Sequence, residues 1–394
     1  MSLRLLKGIR VVSIEQFISA PYCTSMLADS GAEVIKIERP GSGDPRRSYD
    51  PKLGPEDDYL SGGFVSYNRG KKSVELDLSD PNDGETFEQL LRDADVFVHN
   101  LRPGSLAKLG WGADELRKRF PHMVVCEISG FGVTGGPYAK WPALDSVIQG
   151  MSGLSSLLGT SPAAPPGLAP MGTMDILAGV YAAVGILAAL VQLERTGQGS
   201  HVDAAMYDIG AAFLERPLTL HEFTGELPAR GQDNYSPVAT FQTGDSAWIS
   251  IVIPTDDMWA RTCRAIERPD LTNHLELDTS VKRAARMRDT VVPALELWAR
   301  GLSADECLSA LRAAGQPAGL VQSIAQVRAC PQLAHRELFV DVEDPRAVHD
   351  DGRHIALPRL PLLFDGRRAE PGAVPRLGAH NETTRQPESI VGHP

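Results

Sequence analysis

The stretch GTMDILAGVYAAVGILAALVQLERTGQG, Gly172 to Gly199, admits three readings: a membrane anchor, a core helix, or a helix terminus that carries an active site. Its uninterrupted apolar run, Ile176 to Val191, falls short of the ~20 residues a spanning helix needs. It is rich in Ala and Gly (Ala178, Gly179, Ala182, Ala183, Gly185, Ala188, Ala189), which suits close packing against neighbouring elements. The reading is therefore a buried helix and not a membrane span. Asp175, just ahead of the apolar run, is expected to cap its amino end.

Upstream, short β-rich runs alternate with helical patterns. IRVVSIE (9–15), AEVIKIE (32–38), SVELDL (73–78), DVFVHN (95–100) and MVVCEISGFG (123–132) read as strands; APYCTSMLADSG, ETFEQLLRDA and ADELRKRF read as helices. That alternation predicts βαβ units and a parallel, doubly wound sheet. The first strand runs into EQFISAP with no GxGxxG at the turn, so a nicotinamide dinucleotide has no fingerprint to bind. Downstream, ATFQTGDSAWISIVI reads as a hairpin, and helical patterns follow at 256–266, 281–298 and 303–314. The expected organisation is a large domain over 1–200, a linker over 201–233, a smaller α/β domain over 234–329, and a return through 330–394.

With 394 residues, 42% hydrophobic and 23% charged, the composition is that of a globular protein with ample core. A net charge of -11 argues against nucleic-acid binding, which needs a basic field. The five cysteines (Cys23, Cys126, Cys263, Cys307, Cys330) are scattered without a CxxC pair, which argues against a disulfide framework and a zinc site. With no secretory pattern in MSLRLLKGIRVVSIEQ, a cytoplasmic protein is expected.

Asp175 is the first chemical candidate. A carboxylate at a helix amino terminus meets free N–H groups and the positive end of the macrodipole. These would keep it ionised and stabilise charge on an attached acyl group, so it suits a nucleophile as well as a cap. Basic clusters come second: Arg39, Arg46 and Arg47; Arg69, Lys71 and Lys72; Arg102 and Lys108. The first and third follow strands of one sheet and could converge at its carboxyl edge, where open α/β sheets bind ligands. A phosphate-bearing ligand is the reading, against that of a solvated surface. A third group, SGFGVTGGPYAKWPALD (129–145), is a glycine-rich turn into a helix at Asp145. No HExxH or GxSxG is present, so zincin and serine-hydrolase chemistry have no motif.

Taken together, GIRVVSIEQFISAPYCTSMLADSGAEVIKIERPGSGD, NRGKKSVELDL, ADVFVHNLRPG, ISGFGVTGGPYA, MDILAGVYAAVGILAAL, RTGQGSHVDAAMYD and PRLGAHNE resemble the class III coenzyme A transferases, the CaiB/BaiF group. That group includes formyl-CoA and crotonobetainyl-CoA transferases and α-methylacyl-CoA racemases. The resemblance implies a Rossmann-like large domain built from both chain ends, an inserted smaller α/β domain, and an interlocked homodimer. It implies that Asp175 is the nucleophile, passing through an aspartyl mixed anhydride and an aspartyl-CoA thioester, with Asp145 in a supporting role. It implies coenzyme A, as substrate and not as a resident cofactor, along Phe17, Ile18, Ser19, Arg39, Lys71, Lys72, Asn100, Leu101 and Lys108. The partners it implies are an acyl-CoA and a carboxylic acid, with no metal, nucleic acid or membrane. Racemases of the group carry a histidine directly before the aspartate matching Asp145. Here that residue is Leu144, which cannot exchange a proton. Transfer is thereby favoured over the alternative, racemisation or isomerisation of one acyl-CoA.

Overall fold

The apolar runs form six strands: β1 Arg10–Ile14, β2 Glu33–Glu38, β3 Lys72–Glu75, β4 Val96–His99, β5 Val124–Ser129 and β6 His201–Ala205. A computed structural model describes residues 3–231 and 236–382. The strand order is β3-β2-β1-β4-β5-β6, and every neighbouring pair is parallel. This is the order of doubly wound dinucleotide-binding sheets, reached here without the glycine fingerprint at the turn after β1. Parallel strands must be covered on both faces, hence their near-continuous apolar sequence; β4 and β5 are buried at every residue. Ile14 pairs with both Ile37 and His99, so β1, β2 and β4 end level and their following loops leave the sheet together.

The large unit comprises Met1–Ser155, Leu168–Glu215 and Ala334–Pro394. Its helices are α1 Ser19–Asp29, α2 Gly62–Asn68, α3 Pro81–Arg92, α4 Ala113–Arg119, α5 Asp145–Met151, α6 Thr173–Thr196 and α7 Met206–Phe213. On one face, Phe87, Leu91 and Leu116 of α3 and α4 pack on Val12, Ile35, Phe97 and Val125. On the other, α6 lies against α1 and the sheet, closely enough to need its small residues. A Cβ at Gly179 would stand 2.7 Å from the Ser19 carbonyl oxygen, and one at Gly185 would stand 2.8 Å from Val202 Cγ1.

Burial of α6 is one-sided, which corrects the expectation of a buried helix. Only 33% of its most apolar window is buried, and Tyr181, Val184, Leu187 and Val191 are exposed along one stripe. By length and composition alone it could cross a membrane. Small residues gather on the side facing α1, leaving larger ones outward.

Residues 201–233, expected to be a linker, instead begin with β6 and α7. The short alternation in HVDAA carries too little apolar signal to stand out as a strand. The expected boundary at 233/234 falls on residues 232–235, outside the described residues, as do residues 383–394 of the expected return segment. The return itself lines the β3 edge. Ser73 N donates to His380 Nδ1 at 3.1 Å, Glu75 N to Asn381 Oδ1 at 2.8 Å, and Gly378 N to Ser73 Oγ at 3.0 Å.

The second unit comprises Ser156–Gly167 and Arg216–Leu333. It has an antiparallel sheet of β7 Val238–Gln242, β8 Trp248–Val252 and β9 Ala318–Leu320, with β8 central. Phe241, Ile249, Trp259, Leu295 and Leu311 form its core. The single helical pattern read over 281–298 is broken into Ser280–Ala285, a π turn Met287–Val291 and Val292–Ala299. Pro293 is the cause: it has no N–H to donate and its ring crowds the carbonyl four residues back.

Candidate active site

At the switch point between β1 and β4, one side chain ties the two following loops together. Asn100 Oδ1 accepts from Gln16 N at 3.0 Å, and its Nδ2 donates to Gln16 O at 2.8 Å and Ser19 Oγ at 3.1 Å. Phe17, between them, has φ 64°, a left-handed conformation that bulky residues rarely adopt. Its N–H donates to Asp44 Oδ1 at 3.3 Å. Strain of this kind is retained where the surroundings over-determine it. Phe17, Ile18, Ser19, Asn100 and Leu101 therefore gather at one place. Arg39 and Lys108 are exposed on the loops after β2 and β4.

Lys71 and Lys72, expected beside them, are committed elsewhere. Lys71 is buried, and its Nζ donates to Glu15 Oε1 at 2.7 Å, Pro21 O at 2.9 Å and Asn68 Oδ1 at 3.1 Å. Those three bonds exhaust an ammonium's donors. Burial, with the like charge of Lys36 nearby, lowers its pKa to about 8 despite Glu15. Burial alone would raise Glu15, but Lys71 and Lys36 hold it below the usual carboxylate range. Lys72 pairs with Glu33. Of the paired arginines, Arg47 is held by Glu38 at 2.7 Å and lies over the Phe64 ring. The carboxylates that the fold brings to these residues fix their roles, and sequence spacing does not report it.

Asp175 lies in the first turn of α6, and the N-cap is Gly172 with φ 92° and no side-chain cap. The expected cap is thus displaced by three residues, and its work is done from another helix. Asp145 Oδ1 accepts from Met174 N at 2.6 Å and Asp175 N at 3.3 Å, and its Oδ2 accepts from Gln149 Nε2 at 2.7 Å. Thr173 N is also engaged, by Pro170 O. The first-turn donors expected to ionise Asp175 and to hold an acyl oxygen are spent. Burial and the adjacent Asp145 charge push Asp175 up to about 6, against a lowering influence from Arg46. A carboxyl with that value is mostly ionised at neutral pH yet less solvated than a surface aspartate, which favours nucleophilic attack. Asp145→Asn keeps an acceptor oxygen and removes the charge, so the Asp175 titration is expected to move to lower pH. Carboxyl-carbon NMR reads this directly; an unmoved midpoint would mean that burial alone sets it.

The glycine-rich turn after β5 carries an aromatic cluster that sequence reading passed over. Phe131 and Tyr138 pack edge-on at 5.8 Å between ring centroids, Tyr138 and Trp141 are tilted at 4.5 Å, and Phe131 meets Tyr207 at 5.6 Å. This cluster leads into Leu144, the α5 N-cap, which is 68% exposed. Also unanticipated were Asp44, which ties the switch loop to the loop after β2, and the setting of Arg46 over Tyr49 and Tyr67.

Residues 6–381 match the family model for CoA-transferase family III. The chain is 34% identical over 383 residues to the succinyl-CoA:mesaconate CoA-transferase of Haloarcula hispanica, covering 95% of this chain and 94% of that one. It is 35% identical over 336 residues to the acetyl-CoA:oxalate CoA-transferase of Acetobacter aceti, covering 84% and 85%. A CaiB/BaiF family protein from Brucella suis superposes with a TM-score of 0.83 at 28% identity, over 98% of this chain and 99% of that one.

Proposed function

The chain belongs to CoA-transferase family III, and from that premise we propose that it moves coenzyme A from an acyl-CoA to a carboxylic acid through covalent intermediates on Asp175. The observation that carries this is the half-buried carboxyl at the start of α6, beside the Asp145 carboxylate that fixes that turn and poised near pKa 6. The ionised Asp175 attacks the thioester carbonyl and the C–S bond breaks, giving an aspartyl mixed anhydride and CoA thiolate. The thiolate attacks the aspartyl carbonyl, releasing the donor acid and leaving an aspartyl-CoA thioester. The acceptor carboxylate displaces the thiolate to form a second anhydride. Attack of the thiolate on the acceptor's carbonyl then frees Asp175 and the new acyl-CoA. No net proton or electron change is needed.

CoA lies along Phe17, Ile18, Ser19, Asn100 and Leu101, with Arg39 and Lys108 facing its phosphates; Lys71 supports the switch loop from behind through Glu15 and Pro21. Asp145 orients the nucleophile by fixing the first turn of α6. Leu144 supports transfer over α-proton exchange. The exposed apolar stripe of α6 supports a homodimer, and five scattered free cysteines support a reducing, cytoplasmic setting. Incubation with succinyl-CoA or acetyl-CoA, quenching with hydroxylamine and mass mapping are expected to find a hydroxamate at Asp175. Absence of an adduct with every donor, together with α-proton exchange in deuterated water, would sink transfer in favour of isomerisation.

A further inference from the structure

Arg46 is held differently from Arg47, Lys71 and Lys72, each of which is closed on a carboxylate. Its Nε donates to Gly63 O at 2.7 Å, and its guanidinium lies over both the Tyr49 and Tyr67 rings, 5.8 and 5.3 Å from their centroids. Two rings and one hydrogen bond hold the plane still. Among the described residues no carboxylate comes within ion-pair distance of it, whereas the adjacent Arg47 is closed on Glu38. A half-buried arginine held this way, with its terminal nitrogens unspent, is an unfilled fork for a planar anion.

Its place relative to Asp175 follows from the backbone. Asp44 Oδ1 accepts from both Arg46 N at 3.0 Å and Phe17 N at 3.3 Å, so the Arg46 loop is tied to the switch loop. The next residue of that loop, Ile18, reaches the α6 cap, where a Cβ on Gly172 would lie 3.3 Å from Ile18 Cδ1. Asp175 is three residues on. Burial raises the phenol pKa of Tyr67, which feels both the Arg46 and the Asp175 charges, consistent with one shared cleft.

We infer that Arg46 is a specificity-determining residue that binds the second carboxylate of a dicarboxylic substrate while the first reacts at Asp175. The inference rests on the CoA-transfer reading of that aspartate. A monocarboxylic acid of equal length would put a methyl group against the fork and leave it unpaired.

The test pairs glutarate with valerate, in calorimetric binding to the free enzyme and as acceptors from acetyl-CoA. Wild type is expected to prefer glutarate, and Arg46→Gln to lower the glutarate-to-valerate ratio by about 10²-fold, the loss of a charge-assisted fork. Arg46→Lys should fall between, since a point charge replaces the fork. Ratios within one preparation do not depend on how much of it is folded. An equal loss for both acids would mean that Arg46 serves only as a counter-ion to Asp175, and an unchanged ratio that it touches neither acid; each overturns the inference. Failure of the transfer reading looks different: no hydroxamate at Asp175 in wild type, whatever the binding ratio.

Discussion

Asp175→Asn is expected to abolish CoA exchange and, at neutral pH, to make the large unit harder to unfold. The amide is nearly isosteric but is no nucleophile, so turnover should fall by at least about 10³-fold, as losses of covalent machinery do. The stability gain follows from the direction of the pKa shift. Folding raises Asp175 from 3.8 to about 6, so between those values the folded state holds a proton that the unfolded state has lost. Stability contributed by the neutral carboxyl is full below the unfolded value and declines as pH rises through the folded one. At pH 7 the ionised, desolvated group thus costs on the order of 2–3 kcal/mol. The asparagine variant should recover much of that at pH 7 and almost none at pH 3.5, read as the difference in urea midpoints. A variant that is inactive and equally or less stable at pH 7 would show that Asp175 is not held at an energetic disadvantage.

Glu15→Gln should produce the largest loss of stability. Glu15 directly follows β1 and is fully enclosed, receiving Lys71 at 2.7 Å, Thr24 Oγ1 at 2.6 Å and Lys36 at 3.6 Å. Lys36 retains Asp44 at 2.8 Å, but Lys71 would keep only neutral partners. Breaking a buried pair from one side typically costs about 3–5 kcal/mol, because the remaining charge stays desolvated. Since Glu15 is held below its ordinary value, its contribution exists above the unfolded carboxylate range and fades as pH falls, so the variant's deficit should shrink in acid. Adding Lys71→Met should restore a large part of the loss. A single-variant deficit under about 1 kcal/mol would mean that water reaches this cluster.

The sheet was readable from sequence because parallel strands and their helices carry strong periodic signals, from IRVVSIE through MVVCEISGFG. The β6 strand was not, being short and only partly buried. Asp175 drew attention as a charge against an apolar run, and Asp145 as a helix start. Their relation was invisible: 30 residues separate Asp145 from the backbone N–H it accepts at Asp175, and nothing local marks a cap supplied from another helix. Spacing could not separate Lys71, spent on the interior, from Arg46, whose fork is open. A basic residue's role depends on which carboxylates the fold brings to it.

The return of the chain to the β3 edge has a consequence for synthesis. In a chain made from its amino end, β3 emerges early, but the backbone groups at Ser73 and Glu75 meet His380 and Asn381 only some 300 residues later. Until then that strand is an open edge, the kind that pairs with other chains. The second unit, lying wholly within residues 156–333, can complete itself on the ribosome meanwhile. A nascent chain stalled before residue 370 should therefore be selectively sticky at one edge, and premature termination there should yield aggregates in place of a shortened enzyme.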